Sequence, residues 1–408
     1  MLRRIRGLRG RGASAPRAFV MALCAVIVTA GCNSVVDGSA SKETGAPAAG
    51  AADPALLDVG NYPTKPRPPL GTSGVNGAII EGQRMADFVT GPWEVDPALI
   101  EGYGFGAMVL RNAQPLKNTF SSEIVQAIGG PDFVNGFVTA RSVHGSKIVI
   151  NSVLRYRTPE AANAAAEVLA RAALESKVAT PPIETTAIPR HPETSGVSHV
   201  FVDTDSDRRW SVAQGVTAHG PYVLLQQAES TDGLDPALEL IAKTLDLQAP
   251  LIDQFQPTDP EKFADLPRDP TGLLARTLPV PDKSATIVQN ATFGQHGTLH
   301  FQSNPVTSAP LFNETGMDTM VRGMTTLYQT KDDAGATRIA AAFIDETAAV
   351  SRPADPVEHL PGSRCLQIPS GSFYCTAAAG RYAIESNATQ LRDAHQQLAA
   401  QYLMALAK

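Results

Sequence analysis

The chain has 408 residues, of which 43% are apolar and 18% are charged, and its formal net charge is −6. This length predicts two or three domains, and the balance of apolar and charged residues excludes a wholly disordered or collagen-like chain. An acidic chain has no general basic field, so nucleic acid is not predicted as a partner.

The first 31 residues differ in composition from the rest of the chain. Six arginines without an acidic residue precede a short apolar stretch from Ala18 to Ala30, which is shorter than the roughly 20 residues of a membrane-spanning helix. This pattern is typical of a secretory signal peptide, and the small residues before Cys32 are similar to a bacterial lipobox, although Thr29 stands where Leu is common. Residues 1–31 are therefore predicted to be a lipoprotein signal peptide. An ordinary signal peptide with a chance cysteine and an uncleaved anchor are the alternatives.

Cleavage before Cys32 would remove the six arginines and leave a net charge of −12. Acyl chains on Cys32 would then hold the protein in membrane lipid, because no later segment is apolar enough to span a bilayer. The sequence predicts an exported protein, lipid-anchored to the outer face of the cell membrane.

Cys365 and Cys375 form an even pair in a chain that is predicted to be exported. In an oxidising compartment such a pair is expected to form a disulfide, and strand-like flanks around Pro369-Ser370-Gly371 predict a hairpin that brings the two sulfurs together. A metal-binding or redox pair is the alternative, but the nine-residue gap is not a CxxC motif.

Composition divides the remainder into a tether and two domains. Residues 32–70 are rich in Ser, Ala, Gly and Pro, and this composition predicts a disordered tether. Prolines cluster within residues 249–269. We therefore predict an N-terminal domain of residues 71–250 and a C-terminal domain of residues 251–408.

The two domains show the same order of predicted elements. In the first, a strand at residues 147–157 leads into a helix capped by Thr158, three strands follow, and a helix beginning near Asp235 closes the unit. In the second, a strand at residues 325–330 leads into a helix capped by Asp332, again followed by three strands and a closing helix.

Two short matches support an internal duplication, and one of them pairs residues 115–118 (PLKN) with residues 310–313 (PLFN), each upstream of the repeated unit. Residues 218–222 (AHGPY) and residues 378–382 (AAGRY) each precede a strand and the closing helix of their domain. The predicted fold class is α+β, with two related domains, each an antiparallel β-sheet with helices packed on one face.

The sequence contains no familiar catalytic motif, such as HExxH, GxSxG or a phosphate-binding glycine loop. His296 and His300 would share a face of a helix and could hold a metal there, but their surroundings (FGQHGTLHF) favour two strands around a turn, so both are predicted to be structural or surface residues. Residues 203–207 begin like a calcium loop, yet Arg208 stands where that loop needs glycine. A polar hairpin turn is predicted there, with weak calcium binding as the alternative. Neither a metal nor a cofactor is predicted.

Trp93 lies in the run GPWEVDP and is predicted to be a core or interdomain residue, although a groove-lining role is the alternative. Together with the lipobox, the tether and the cysteine hairpin, three runs carry a resemblance: residues 80–97 (IEGQRMADFVTGPWEVDP), 273–279 (LLARTLP) and 297–302 (GTLHFQ). On these features the chain resembles a family of actinobacterial cell-envelope lipoproteins, typical of mycobacteria, nocardiae and rhodococci, with paired domains of unknown function. The resemblance implies location and architecture, and it supplies no catalytic residues.

Two hypotheses of different class follow. The first is a non-catalytic binding or scaffold module, anchored to membrane lipid through acylated Cys32, whose ligand is a lipid, a glycan or another envelope protein. A lipid carrier should have a deep apolar cavity. The second is an envelope hydrolase with an unrecognised site, which would need histidines to converge with aspartates in one cleft. The histidines in question are His144, His191, His199 and His219, and the aspartates are Asp203, Asp205 and Asp207.

Overall fold

The structure is a computed structural model, and it describes residues 52–176, 183–280, 286 and 288–407. The predicted signal peptide, the lipidation site Cys32 and the first part of the predicted tether lie outside the described residues. Among the residues that are described, no helix combines the length and the apolar character needed to cross a membrane.

Within the described residues, fourteen strands form two seven-stranded antiparallel sheets. The strands are β1 (Glu101–Leu110), β2 (Phe133–Val143), β3 (Lys147–Tyr156), β4 (Glu184–Thr186), β5 (Ser195–Asp203), β6 (Arg208–His219), β7 (Tyr222–Ser230), β8 (Ala291–Gly294), β9 (Thr319–Arg322), β10 (Thr326–Gln329), β11 (Arg352–Ala354), β12 (Arg364–Gln367), β13 (Phe373–Ala379) and β14 (Tyr382–Ala388). The helices are α1 (Gly77–Met85), α2 (Pro92–Val95), α3 (Ser122–Ile128), α4 (Pro159–Leu174), α5 (Leu234–Ile252), α6 (Gln295–Leu299), α7 (Pro305–Thr315), α8 (Asp333–Ala348) and α9 (Leu391–Leu406).

The two sheets have the same topology. The first has the order β1-β2-β3-β7-β6-β5-β4, and the second has the order β8-β9-β10-β14-β13-β12-β11. In both, a helix follows the third strand (α4, α8) and another follows the seventh (α5, α9). The hairpins before β7 and β14 turn at Gly220 and Gly380, which both have a φ of +54°, a conformation that favours glycine. The predicted α+β class with two related antiparallel domains is confirmed.

The helices cover both faces of each sheet, so the prediction of helices on one face is wrong. In the first sheet, Leu225 of β7 shares a core cluster with Leu169 of α4, and the adjacent Leu224 shares another with Ile241 of α5. Neighbouring residues of a strand point to opposite faces, so α4 and α5 lie on opposite sides. The same holds for α8 and α9, because Ala383 clusters with the α8 face and Ile384 with the α9 face.

One hydrophobic cluster runs through both domains. It joins Ile241 of α5 with Phe137 of the first sheet, and continues into Phe293, Phe312 and Phe343 of the second domain. The α5 face of the first sheet therefore meets the α8 face of the second, with α1, α2, α6 and α7 contributing between them.

Residues 52–70, which the sequence analysis includes in the disordered tether, are packed against the C-terminal domain. Leu57 is buried in the cluster that contains Leu398 of α9. The Tyr62 hydroxyl donates to Asp393 Oδ1 at 2.7 Å, and the Arg67 amide donates to the Ala275 carbonyl at 2.9 Å. Composition alone suggested a tether here, but a few apolar and aromatic side chains find partners on α9 and order the segment.

Cys365 and Cys375 lie directly opposite each other on β12 and β13. Their sulfurs are bonded, with an S–S distance of 2.02 Å, and both residues are buried in the core beneath α9. This is the pair that the sequence analysis assigns to a disulfide, and the hairpin between them matches the predicted one.

Candidate functional site

A cleft of about 450 Å³ lies where the two domains meet. Its volume is within the usual range for ligand pockets, which occur preferentially at domain interfaces. The residues that line it come from α1, from the loop after β1 and from the segments before and after the domain junction: Asn76, Ile79, Ile80, Gln83, Arg111, Asn112, Pro115, Arg268, Thr286, Gln289 and Asn290. None of these side chains is acidic.

Helix α1 forms one wall of the cleft, and two glycines set its position. A Cβ atom on Gly82 would lie 2.4 Å from Val109 Cγ1 of β1, and one on Gly77 would lie 2.4 Å from the Phe263 carbonyl oxygen. Because real Cβ atoms do not approach other atoms so closely, only glycine lets the helix lie against both β1 and the interdomain segment. This close packing brings Gln83 to the cleft.

Two arginines line the cleft without a partner. Neither Arg111 nor Arg268 makes a hydrogen bond or an ion pair with another described residue through its side chain. Arg268 is half-buried, and its backbone is fixed because its amide donates to the Gly71 carbonyl at 3.0 Å, next to the bridge between Thr72 and Pro267. The two guanidinium groups therefore keep all their donors available to a ligand.

Amide side chains make up most of the remaining polar lining. Gln83 is only 3% exposed, and its Oε1 is 3.5 Å from the Thr292 amide. The Asn290 Oδ1 is buried, and no described residue donates to it. Asn290 also has a φ of +52°, in the left-handed region that asparagine tolerates better than most residues. A buried acceptor without a donor carries a desolvation cost, which a ligand or a water molecule in the cleft would remove.

The nearest buried carboxylate, Glu81, is neutralised within the protein. Arg155 donates to its Oε1 at 3.0 Å and Arg84 donates to its Oε2 at 2.5 Å, while the Thr258 amide donates to Oε1 at 2.6 Å. Burial lowers the pKa of Arg155, and the charge of Glu81 works against that shift. Glu81 therefore ties α1 to β3 and to the interdomain segment, and its charge is already balanced by two arginines other than Arg111 and Arg268.

Arg141 of β2 fixes the same junction from the other side. It is buried and forms no ion pair with a carboxylate of the described residues. Its guanidinium donates to the carbonyl oxygens of Ile100 at 2.5 Å, His300 at 3.0 Å, Gln302 at 2.6 Å and Ser303 at 3.3 Å. Burial lowers the pKa of Arg141 to about 10, so it is charged at neutral pH. One residue of the first sheet thereby holds the chain between α6 and α7 of the second domain.

His296 and His300 lie on and just after helix α6, so the predicted pair of strands around a turn is wrong. Asp87, from the short turn after α1, accepts hydrogen bonds from the amides of Gly297 at 2.7 Å and Gly294 at 3.1 Å. A carboxylate at this position stabilises the start of a helix. Sequence propensity missed the helix because its cap comes from a distant part of the chain.

Both histidines have internal partners in place of a metal. His300 is buried, with Nδ1 3.2 Å from Thr139 Oγ1 and Nε2 3.2 Å from the Ala86 carbonyl oxygen, and burial holds its pKa well below the usual range. His296 Nε2 lies 3.1 Å from Glu94 Oε2. Burial lowers the pKa of His296, but the hydrogen bond and charge of Glu94 outweigh it, so the pKa is raised. The interpretation of both as structural residues fits these contacts.

The other predicted candidates are dispersed. His191 pairs with Asp246 at 2.8 Å, His219 pairs with Asp253 at 2.7 Å, and His144 lies 4.0 Å from Glu101. None of these three pairs includes Asp203, which is the last residue of β5, or Asp205 and Asp207, which lie in the exposed hairpin turn that follows it. His199 lines a pocket of about 210 Å³ against the first sheet.

Residues 203–207 form the polar hairpin turn that the sequence predicts. Asp203 Oδ1 accepts from the Asp205 amide at 3.1 Å and Oδ2 accepts from Ser206 Oγ at 2.5 Å. These bonds lower the pKa of Asp203, with the Ser206 hydroxyl contributing most. The carboxylate is therefore used to close the turn.

Trp93 is an interdomain residue, as predicted. It is 5% exposed, its ring meets that of His300 edge-on with 5.1 Å between centroids, and the Arg141 guanidinium lies 5.4 Å from its centroid. Stacking of a guanidinium on an indole favours burial of that charge. Trp93 thus belongs to the core of the junction.

A second group of possible metal ligands is made by Cys365, Cys375 and His395, whose ligand atoms lie within 4.8 Å of one another. The two sulfurs are joined in the disulfide, so neither is the thiolate that a metal would require. The ring of His395 contacts the Asp355 carbonyl oxygen at 2.8 Å. While the disulfide is formed, Cys365, Cys375 and His395 do not make a metal site.

A small polar pocket of about 90 Å³ lies against the second sheet, between β10, β13, β14 and α8. Glu385 accepts from the hydroxyls of Tyr328 at 2.8 Å and Tyr374 at 2.5 Å. Burial raises the pKa of Glu385, although both tyrosines and Arg322 oppose that shift. Each carboxylate oxygen already has a donor, so this pocket has the character of a satisfied internal network.

Two family models match the chain over most of its length. Residues 68–268 match the N-terminal part of a domain of unknown function (DUF7373), and residues 273–407 match its C-terminal part. The chain belongs to the DUF7373 family. The N-terminal match contains strands β1 to β7 and the C-terminal match contains β8 to β14, so the prediction of paired domains of unknown function is confirmed.

Other comparisons with the DUF7373 chain add little. No curated protein matches it. Among solved structures, the extracellular domain of PknH from Mycobacterium tuberculosis is similar over 40% of this chain and 94% of that one, with 14% identity and a TM-score of 0.29. A likeness at this level supports no statement about fold or function.

The cleft is not apparent from the sequence. Arg111 and Arg268 lie in different parts of the chain, in segments that show no periodicity. Only the packing of α1 against β1 and the interdomain segment brings them to one cavity. The only sequence signal there is the spacing of Gly77 and Gly82, which indicates close backbone approach in α1 but names no ligand.

Proposed function

We propose that this DUF7373 chain is a lipid-anchored envelope protein that binds an anionic ligand in the junction cleft and does not alter it chemically. The observation that carries the proposal is the pair of guanidinium groups of Arg111 and Arg268, which have no partner among the described residues, in a cleft whose described lining contains no acidic side chain. The chain is acidic as a whole, so a cleft whose described lining includes two arginines and no acidic residue is a local departure from its general character.

The lining favours a ligand that carries phosphate or carboxylate groups on a polar body. Guanidinium groups match the geometry of these anions and bind them with charge-assisted hydrogen bonds. Asparagine and glutamine side chains beside them both donate and accept, which suits hydroxyl and amide groups. An anionic envelope glycan has this combination of groups.

An acyl chain is a weaker candidate for the ligand. Two pockets that lie between a sheet and its helices have volumes of about 90 and 210 Å³, and ionisable or amide side chains line both. A larger pocket of about 440 Å³ between α7 and α8 is lined in part by the charged residues Glu314, Arg338 and Glu346. A lipid carrier would need a deep apolar cavity at this place. These dimensions support a polar ligand over a lipid one.

An envelope hydrolase is the weaker of the two function classes. Acid–base chemistry needs a base and a second group within reach of one bound substrate. The structure places His191 with Asp246 and His219 with Asp253, at separate surface positions. This dispersal favours binding without catalysis.

The membrane anchor is proposed from the sequence, since Cys32 lies outside the described residues. A Cys32→Ala variant should lose labelling with a palmitate analogue and move from the membrane fraction to the soluble fraction. Retention of the variant in membranes would show that a different segment anchors the chain.

Binding is tested with the released Cys32→Ala protein by isothermal titration with pyrophosphate and citrate as anionic probes and glycerol as a neutral one. Replacing Arg111 and Arg268 by Gln should weaken anion binding about 100-fold or more, because each charge-assisted bond contributes about 1.5–3 kcal/mol and each 1.4 kcal/mol is a factor of ten. The matched control replaces the exposed Arg157 and Arg171 by Gln, which changes the net charge equally. Equal affinity of the two double variants would refute a site at the cleft.

A further inference from the structure

A second pocket, of about 210 Å³, lies on the face of the first sheet that α4 covers. Helix α4 ends at Leu174, and the strands of the sheet continue beyond it. There the pocket is bordered by β5, β6 and β7 and by residues 117–124, which lead into α3. It contains none of the residues that line the junction cleft.

Glu229 is the central charged group of this pocket. It is 6% exposed, and its Oε1 accepts from Gln227 Nε2 at 2.7 Å. No described residue forms an ion pair with it or donates to its Oε2. Burial raises its pKa, and the bond from Gln227 only partly opposes the shift. A buried carboxylate without a counter-ion is unfavourable, so a ligand that brings a positive charge would be stabilised here.

Two glutamine side chains fix the orientation of the Glu229 carboxylate. Gln214 Nε2 donates to Gln227 Oε1 at 2.6 Å, and Gln227 in turn donates to Glu229 Oε1. All three side chains are at least nine-tenths buried. The network therefore holds the carboxylate in one orientation and leaves Oε2 as the acceptor for a ligand.

Two further polar atoms at the pocket lack partners. His199 Nδ1 and Ser176 Oγ are buried, and neither makes a hydrogen bond with a described residue. His199 is opposite Val212 on β6, which is opposite Glu229 on β7, so the two side chains lie on one face about 10 Å apart, at two strand spacings. Burial lowers the pKa of His199, so it is neutral and can accept a hydrogen bond. Glu229 Oε2, His199 Nδ1 and Ser176 Oγ can each accept a hydrogen bond. The pocket therefore favours a ligand that is rich in hydrogen-bond donors.

Apolar side chains complete the pocket. Phe120, Ile124 and Phe201 line it, and the ring of Phe201 is stacked parallel to that of Trp210 with 6.3 Å between centroids. Aromatic faces attract cations. Lys117 also borders the pocket, but it is exposed and makes no ion pair with Glu229 among the described residues.

We propose that this pocket is a binding site for a small organic ammonium ion, with Glu229 as its counter-ion and the aromatic wall packed against its carbon skeleton. A primary ammonium group has three donors and no acceptor, which matches the unmet acceptors. The site is separate from the junction cleft, so it does not depend on anion binding there.

The test uses two probes of the same shape, benzylammonium and benzyl alcohol, titrated calorimetrically into the full chain with Cys32→Ala near neutral pH. Benzylammonium should bind, and benzyl alcohol should bind at least about tenfold more weakly because it brings no charge to the carboxylate. Equal affinity for the two probes, or no binding of either, would overturn the proposal. Equal affinity would point to a hydroxyl-binding site of the kind that takes neutral sugars.

The variant Glu229→Gln keeps the shape of the side chain and removes its charge. It should abolish the preference for benzylammonium, whereas Glu167→Gln, an exposed residue on the outer face of α4, should leave it unchanged. A preference that survives Glu229→Gln would overturn the assignment of the counter-ion. The comparison of the two probes needs no substitution at Glu229. The proposal therefore stays testable even if Glu229→Gln folds poorly.

Discussion

Arg141 offers a direct test of how the two domains are held together, and the variant to make is Arg141→Met. Methionine keeps an unbranched apolar stem but removes the donors to four carbonyl oxygens, those of Ile100, His300, Gln302 and Ser303. Leaving a buried acceptor without its donor costs about 1–3 kcal/mol, so four of them would cost about 8 kcal/mol. Removing a buried guanidinium that has no carboxylate partner returns several kcal/mol. We expect a net loss of about 3 kcal/mol in the free energy of unfolding.

The assay is urea denaturation followed by the fluorescence of the two tryptophans, with Trp93 reporting the junction and Trp210 the first sheet. In the wild type both probes should share one midpoint because one core cluster joins the domains. In Arg141→Met the Trp93 transition should come first. Arg171→Met, at an exposed position of α4, should change stability by less than about 0.5 kcal/mol. A loss below about 1 kcal/mol in Arg141→Met, with the two midpoints still coincident, would refute this reasoning about the junction.

Two further predictions concern the second domain. The folded pKa of Glu385 is raised by burial, so its ionisation destabilises the fold as pH rises from the unfolded value of about 4.3 through the folded pKa. The stability of Glu385→Gln relative to wild type should increase over that pH range in urea denaturation, and a pH-independent difference would contradict the assignment. Replacing Cys365 and Cys375 by Ala should cost about 2–3 kcal/mol, because the bond closes a short loop in the unfolded chain. Reduction of the wild type should give a similar loss, and an unchanged urea midpoint in either case would count against that estimate.

The repeated architecture could be predicted because each domain carries its own local signals. Thr158 caps α4 by accepting from the Ala161 amide at 3.2 Å, and Asp332 caps α8 by accepting from the Gly335 amide at 2.8 Å. Both are short-range interactions, and a sequence shows them directly. The same is true of the glycine hairpins that precede β7 and β14.

The placement of helices on both faces could have been inferred from β7, where every residue from Tyr222 to Ser230 is buried. A strand that is covered on both sides does not alternate between apolar and polar residues. Only an uninterrupted apolar run in the sequence would show that both of its faces are buried. Gln226, Gln227 and Glu229 interrupt that run. A sequence does not distinguish polar residues that are buried in a hydrogen-bonded network from exposed polar residues. The pocket at Glu229 cannot be predicted from the sequence for the same reason.

The junction could not be predicted, because it depends on contacts between distant residues. Asp87 decides that residues 295–299 are helical, and a lone Arg141 in a strand gives no sign that it binds carbonyl groups of the other domain. Arg111 and Arg268 become neighbours of one cleft only after both domains have folded. Such features follow from tertiary packing, which local propensity does not encode.

The packing of residues 52–70 on α9 has a consequence for the order in which the chain folds during synthesis. Tyr62 and its partner Asp393 are 331 residues apart, so at about 5–20 residues per second the ribosome needs on the order of 20–70 s to make the second after the first. The first domain can complete its sheet in that interval, while the segment that precedes it waits for α9. The C-terminal domain is thus built from both ends of the chain, and a fragment that begins at residue 251 would lack Leu57 and Tyr62 from its own core.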